Sequence, residues 1–404
     1  MKRIIYVLVI FMALHTNAQQ LPKYDKVPGV PIVHSPKTTG VYVGSPSIAI
    51  LPNGDYLASH DFFSEIDKSD SIVQASGPSK ARRSGHHIYI SRDKGKTWQF
   101  LSEVGYIHWA GLFVLNDIVY LLGMHGVDRD MIITCSRDKG KTWEKLSVLA
   151  KKVGDHGYHG SSTPVVFYNG RVYKGYDRHY ADKRGKFMSG NESFIMSASV
   201  KSNLLDPQSW VFSNSIKKPD NIEGTGWLET NAVLGRDGKI KGITRVASAT
   251  GFHAGYYSLS ADSKIDPGSV GQIDFPGGAT KFNILWDPHT KKYWSLVNYP
   301  SSVVRKLKNR PGGLRSILAL TCSKDLKKWD VQSIVLATED VNYHGFQYVD
   351  WQFDGDDIVF VSRTAYDDEY GGAASYHDTN FITFHRIKNY KNAKTPKEFE
   401  YLLQ

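Results

Sequence analysis

The octapeptide Ser-Arg-Asp-Lys-Gly-Lys-Thr-Trp occurs twice without change, at Ser91–Trp98 and at Ser136–Trp143. An identical stretch returning after 45 residues marks a repeated supersecondary unit, and periods of about 40 to 50 residues belong to propeller blades among other arrays. Its chemistry is that of a turn between strands: Asp and Gly close it, the hydroxyl residues bond its backbone, and Trp packs between neighbouring sheets. From Gly40 to about Ile387 the chain is a series of short alternating runs punctuated by turn signals. Asn53-Gly54, Asn169-Gly170, Asp237-Gly238 and Asp354-Gly355 each lie between two strand-like runs and read as hairpins. Degenerate boxes fall at Ser202–Trp210 and Ser323–Trp329. At about 50 residues per blade, this length fills six or seven blades. The reading is an all-β fold, a seven-bladed β-propeller with six blades as the alternative, in which ring closure removes exposed sheet edges.

Lys2-Arg3, the apolar run Ile4–Leu14 and Thr16-Asn17-Ala18 have the charged, apolar and small-residue regions of a signal peptide over residues 1–18. Residues 19–404 are then one propeller domain, exported to the periplasm or the medium. The apolar run is too short to span a bilayer, no later segment nears 20 apolar residues, and membrane insertion is not expected. Cys135 and Cys322 each precede the Ser of a box-like element. Equivalent positions on separate blades stand apart, so both read as buried thiols rather than a disulfide. The formal charge of +10 favours a polyanionic partner. Its basic residues are dispersed and no nucleic-acid reader is visible, so nucleic acid is not expected. An acidic, sulfated polysaccharide or oligosaccharide suits the charge and the 12% aromatic content, and a monomer is expected to bind it.

Fifteen histidines is a high count, and several keep unusual company. His108 opens His-Trp-Ala-Gly-Leu-Phe, and His125 follows the apolar run Val119–Leu122. Tyr158 and His159 close Asp-His-Gly-Tyr-His just before a strand whose hairpin partner carries Lys174, Tyr176, Asp177 and Arg178. Arg245, His253, His344 and Arg363 with His377 come later. Taken singly, each His reads first as a hydrogen-bonded structural residue. The His156–His159 pair has a zinc-like spacing but an incomplete ligand set. No cofactor is assigned, and a structural metal stays open.

The pattern S-x-D-x-G-x-T-W resembles the Asp-box of sialidase-like β-propellers, which speaks to fold more than to reaction. A more specific resemblance runs over nearly the whole chain after residue 18. It rests on Gly44–Asp61, Trp109–Phe113, Tyr158–Lys174, Gly226–Asn231, Lys281–Pro288, Gly345–Asp350 and His377–Arg386. These segments resemble the seven-bladed propeller lyases that cut ulvan-type, rhamnose–glucuronate glycans, a group with rhamnosidase-like and dehydratase-like relatives. The resemblance implies a carbon–oxygen lyase performing β-elimination at C4–C5 of a uronic acid. That chemistry needs a cation to neutralise charge beside C5, a base for the C5 proton and an acid for the departing O4.

Carried over by position, His125 and Tyr158 match the family's proton-exchanging His and Tyr, and His108 its second His. Lys174 stands where the lyases carry a carboxylate-binding Arg, so a point charge replaces a planar fork. Arg245 is the candidate for supplying that fork. His60, His159 and Arg363 complete the substrate-binding candidates. If O4 bears a sugar the enzyme is a lyase; if it is a free hydroxyl, an oligosaccharide dehydratase. Three rival readings remain. The rhamnosidase branch implies one catalytic His, matching His60, on the opposite face of the propeller. A sialidase needs three arginines with a Tyr–Glu pair, and Val43-Gly44-Ser45-Pro46 stands where its first Arg motif would fall. A non-catalytic glycan-binding propeller would be indifferent to loss of Tyr158 or His125.

Overall fold

The computed structural model describes residues 26–64, 85–126, 129–154, 156–180, 188–308 and 310–403. The expected signal segment, residues 1–18, lies outside them. Alternating apolar runs joined by tight turns pair into six antiparallel sheets, the blades of a β-propeller. Blade 1 runs outward through Val41–Ile50, Tyr56–Ser64, His86–Ser91 and Gln99–Val104. Blade 2 has Ile107–Leu115, Ile118–His125, Met131–Ser136 and Ser147–Ala150. In blade 3 the inner position is split between His156–His159 and Val166–Tyr168, both paired with Arg171–Tyr180. Glu192–Ser199 follows, with Trp210–Phe212 and Ile216–Lys217 outermost. Blade 4 is Trp227–Leu234, Ile240–Val246, His253–Ser258 and Gly271–Asp274. Blade 5 is Asn283–Asp287, Lys292–Asn298, Ile317–Ser323 and Asp330–Ala337. Blade 6 has Gly345–Asp354, Asp357–Ala365 and Phe381–Ile387, and borrows its outer strand, Val30–His34, from the start of the chain.

The ring therefore has six blades, and the seven-bladed expectation is corrected. Inner strands begin at Val41, Ile107, His156, Trp227, Asn283 and Gly345, every interval longer than the 45 residues between the two octapeptides. The octapeptide spacing measures the most compact stretch of the ring and overstates the blade count.

Apolar residues fill the spaces between blades. Leu57 and Ile88 of blade 1 meet Leu112 and Leu121 of blade 2 in one cluster, and Val359 and Phe384 of blade 6 meet Ile48 and Tyr56 of blade 1 in another. The octapeptides form identical turns at the end of the blades away from the inner strands' beginnings. Ser91 Oγ donates to Asp93 Oδ1 at 2.8 Å, Gly95 N donates to Ser91 Oγ at 2.8 Å, and Thr97 N donates to Asp93 Oδ1 at 2.9 Å. Ser136, Asp138, Gly140 and Thr142 repeat these bonds at 2.7–2.9 Å. Cys135 and Cys322 are buried free thiols on the third strands of blades 2 and 5.

Candidate active site

In blades 1, 2, 4 and 6 the inner strand slips register at an equivalent place: between Gly44 and Ser47, His108 and Gly111, Leu228 and Asn231, and Gln347 and Asp350. Inside each slip one non-glycine residue takes a left-handed conformation, with φ of 43° at Ser45, 51° at Trp109, 60° at Glu229 and 51° at Tyr348. Such a residue costs of order 1 kcal/mol or more. Bulges of this kind re-aim a side chain away from the regular pleat. Here the re-aimed Trp109, Glu229 and Tyr348 lie in a ring of contacts around one end of the axis.

The ring can be followed from blade to blade. Trp109 N donates to Asp61 Oδ2 at 2.8 Å, and the Trp109 ring lies 4.7 Å from that of His159. His159 Nδ1 is 3.7 Å from Asp177 Oδ2. Asp177 in turn accepts from Glu229 N at 2.5 Å and from the Thr230 hydroxyl at 3.1 Å. Arg245 donates to Glu229 Oε2 at 2.9 Å and reaches the Tyr348 hydroxyl at 3.4 Å. The Arg363 guanidinium lies 5.2 Å over Tyr348 and 4.5 Å over Phe63, which returns the circuit to blade 1. Arg315, carried by the segment between the second and third strands of blade 5, stands 5.2 Å over the same Tyr348 ring and donates to Gln347.

Three guanidiniums from three blades thus meet one phenol. All three arginines are at most 5% exposed. Among the described residues only Arg245 is ion-paired with a carboxylate. Burial alone would lower its pKa, but Glu229 and the Tyr348 oxygen outweigh burial and raise it. Among the described residues Arg315 and Arg363 have no acidic partner in ion-pair reach, and burial lowers both, Arg363 to about 10. Arg363 Nε is buried without a hydrogen-bond partner among the described residues. Guanidiniums hold their charge regardless, so two fixed charges at this end have carboxylates only beyond ion-pair reach, Asp61 and Asp378 for Arg363 and Glu229 for Arg315.

A polar floor closes the axis. Lys281 donates to the Val349 carbonyl at 2.7 Å and the Ser162 carbonyl at 3.2 Å; Asn283 joins Asp350 Oδ1 at 2.6 Å; Ser162 Oγ donates to the Pro46 carbonyl at 2.7 Å. Lys174 belongs to this buried framework. It is 1% exposed and donates to the Thr163 hydroxyl at 2.8 Å, the Thr163 carbonyl and the Ser161 carbonyl at 3.3 Å. Burial lowers its pKa to about 7. The expectation that Lys174 meets a substrate carboxylate is corrected: its three donors are already engaged, away from solvent.

Of the other candidates, His108, His159, Arg245 and Arg363 are on or against the ring, His108 Nδ1 being 3.8 Å from Asp61 Oδ2. His125 and Tyr158 are half-buried on blades 2 and 3 beside it. They flank Arg129, whose amide donates to the His125 carbonyl and whose carbonyl accepts from Tyr158 N, both at 3.0 Å; its guanidinium lies 5.4 Å over Trp109. His60 is 1% exposed, packed 5.6 Å from His87 and 5.8 Å from Tyr89, and burial takes its pKa down to about 3. It adjoins Asp61 of the ring, so it is neither accessible nor on the opposite face. Asp61, Trp109, Asp177, Glu229, Arg315 and Tyr348 were assigned no role from the sequence. Among the described residues no group of three or more His, Cys, Asp or Glu is placed to hold a metal ion.

No family model and no curated protein matches the chain. Solved structures do. The α-L-arabinanase of Penicillium chrysogenum with arabinobiose aligns at a TM-score of 0.56 and 16% identity, over 90% of this chain and 98% of its own. The NanB sialidase from Streptococcus pneumoniae aligns at 0.53 and 13%, over 89% and 70%. An ulvan lyase of a polysaccharide lyase family aligns at 0.48 and 12%, over 87% and 79%. At these identities the likeness is one of fold.

Proposed function

We propose that this chain is a glycan-processing enzyme whose substrate carries a carboxylate, and that it breaks a carbon–oxygen bond by β-elimination at a uronic acid of an ulvan-type, sulfated rhamnose–uronate glycan. The observation that carries the reading is Arg315 and Arg363, buried beside Tyr348 with no carboxylate in ion-pair reach among the described residues. Unpaired buried charge is costly, and a substrate carboxylate supplies the missing anion. Elimination also makes this charge catalytic, because negative charge grows beside that carboxylate as the C5 proton leaves. The proton-transfer groups at hand are the Tyr348 hydroxyl and His159, whose Nδ1 faces Asp177 at 3.7 Å. The ring carboxylates are already engaged: Asp61 by Trp109 N, Asp177 by Glu229 N and Glu229 by Arg245. That weighs against a hydrolysis run by two free carboxylates.

A second reading has its own observation. Arg245 ties Glu229 and Tyr348 into one network, the parts required by hydrolysis through a tyrosine nucleophile, and a sialidase shares the fold. Glycan-active neighbours support a sugar substrate under either reading. The residues 1–18 pattern supports an exported enzyme, which would meet such polymers.

The deciding measurement is the ultraviolet absorbance of the 4,5-unsaturated uronate while the purified protein acts on ulvan polymer and on ulvan oligosaccharides. Elimination predicts a rise, lost in Arg315→Ala and reduced at least about a hundredfold in Tyr348→Phe. Mass spectrometry then separates chain cleavage from loss of one water. Release of free sugar without the chromophore selects hydrolysis, and no turnover of either kind defeats the proposal.

A further inference from the structure

The end of the propeller away from the ring has a cavity of its own, about 700 Å³, along blade 6, lined by the first octapeptide of blade 1 and by the outer strand of blade 5. Four cations line it: Lys94 and Lys96 from the first octapeptide, Arg386 and Lys388 from the end of blade 6. Asp354 and Asp357 are the acids, and both are already bound by Arg386 at 2.9 Å. Asp354 also accepts from the Tyr56 hydroxyl at 2.6 Å and lies 3.4 Å from Lys94. Lys96 and Lys388 are exposed, and neither side chain makes a hydrogen bond or ion pair among the described residues. Between the charges the wall is apolar, with Phe384 and Leu336. The second octapeptide, identical in sequence, has Leu57 and Leu101 packed against its Gly140 instead. The cavity is therefore a property of blade 6 and its neighbours and not of the repeated turn.

An apolar wall under a rim of surplus positive charge matches a sugar ring carrying sulfate or carboxylate groups, its C–H face on the wall and its anions on the lysines. We propose that this cavity is a second binding site, for an anionic oligosaccharide, which anchors the glycan at the end of the molecule away from the catalytic ring. The choice of ligand rests on the acidic-glycan reading above; the site itself does not use the ring.

The test is calorimetric titration of an ulvan-derived tetrasaccharide into the Arg315→Ala protein, with and without Lys96→Glu and Lys388→Glu. Both lysines are exposed and unbonded, so an unchanged Tm confirms that the fold persists. The expected result is binding that survives Arg315→Ala, falls at least about tenfold on reversing the two lysines and weakens with added salt. Binding that disappears with Arg315→Ala, or persists there with the lysines reversed, overturns the second site and leaves the proposed activity standing. Binding that depends on Lys96 and Lys388, with no turnover by the unmutated protein, supports the second site and overturns the activity. No binding by any form overturns both.

Discussion

Lys174, Lys281, Arg245, Arg315 and Arg363 are all buried near the axis, and what each can do follows from how its donors are used. The two lysines give theirs to carbonyls and hydroxyls of the floor. The arginines have five donors each and only part of that capacity is taken. Lys174→Met should therefore lower stability by about 1–3 kcal/mol, the cost of leaving the Thr163 and Ser161 acceptors unsatisfied, while turnover stays within about threefold. Arg315→Lys keeps the charge but loses the planar fork, and should reduce turnover at least about a hundredfold with little change in urea midpoint. Kinetics and urea melts on the two variants check this together; a reversed pattern would return the carboxylate to Lys174. Arg245 and Arg363 were legible because basic residues on strand ends stand out in a sequence. Lys174 misled because matching a family position says nothing about burial. Arg315 and Tyr348 stayed hidden because they meet only when blades 5 and 6 pack.

At the scale of the element, hairpins were legible where the turn needed glycine. Asn53-Gly54, Asn169-Gly170, Asp237-Gly238 and Asp354-Gly355 all lie in hairpin turns. The inner hairpins of blades 2 and 5 turn through Asn116 and Asp117, with φ of 51° and 63°, and through Lys291 with φ of 52°. Non-glycine residues in that conformation leave a weaker trace in sequence. The octapeptides give a sharper case, since identical sequence meets different surroundings. Gly95 and Gly140 have φ of 88° and 89°, so alanine strains the backbone equally at both, by about 1–2 kcal/mol. A methyl at Gly95 runs into the Phe384 ring, however, whereas at Gly140 it meets a Leu57 methyl at 3.1 Å that can give way. Gly95→Ala should cost about 1–3 kcal/mol more than Gly140→Ala, read from urea midpoints. Equal costs would mean that the seam between blades 6 and 1 is softer than its packing implies.

The ring as a whole is held by closure, because Val30–His34 must leave the chain's beginning to complete a blade built from its end. Among the described residues no other strand pairing joins residues so distant within one sheet, and the seam it makes contains a group that acid can attack. His385, on the strand beside the closing one, is stacked 4.6 Å from Phe360 and shares a hydrogen bond of 2.8 Å with the Thr383 hydroxyl. Burial takes its pKa down to about 3, against an ordinary value of about 6.5. Between those values the folded chain binds fewer protons at this site than the unfolded chain does. Stability therefore falls as pH drops from about 6.5 towards 3, by roughly 1.4 kcal/mol per pH unit from this histidine alone. His60, at about 3, acts in the same direction from the neighbouring blade 1. His385→Phe keeps the stacking and removes the proton site. Urea melts at stepped pH should show a shallower acid slope for the variant by about that amount, so that the variant gains stability relative to the parent as pH falls. An unchanged slope would place the acid-sensitive contact elsewhere in the ring and leave closure without a part in it.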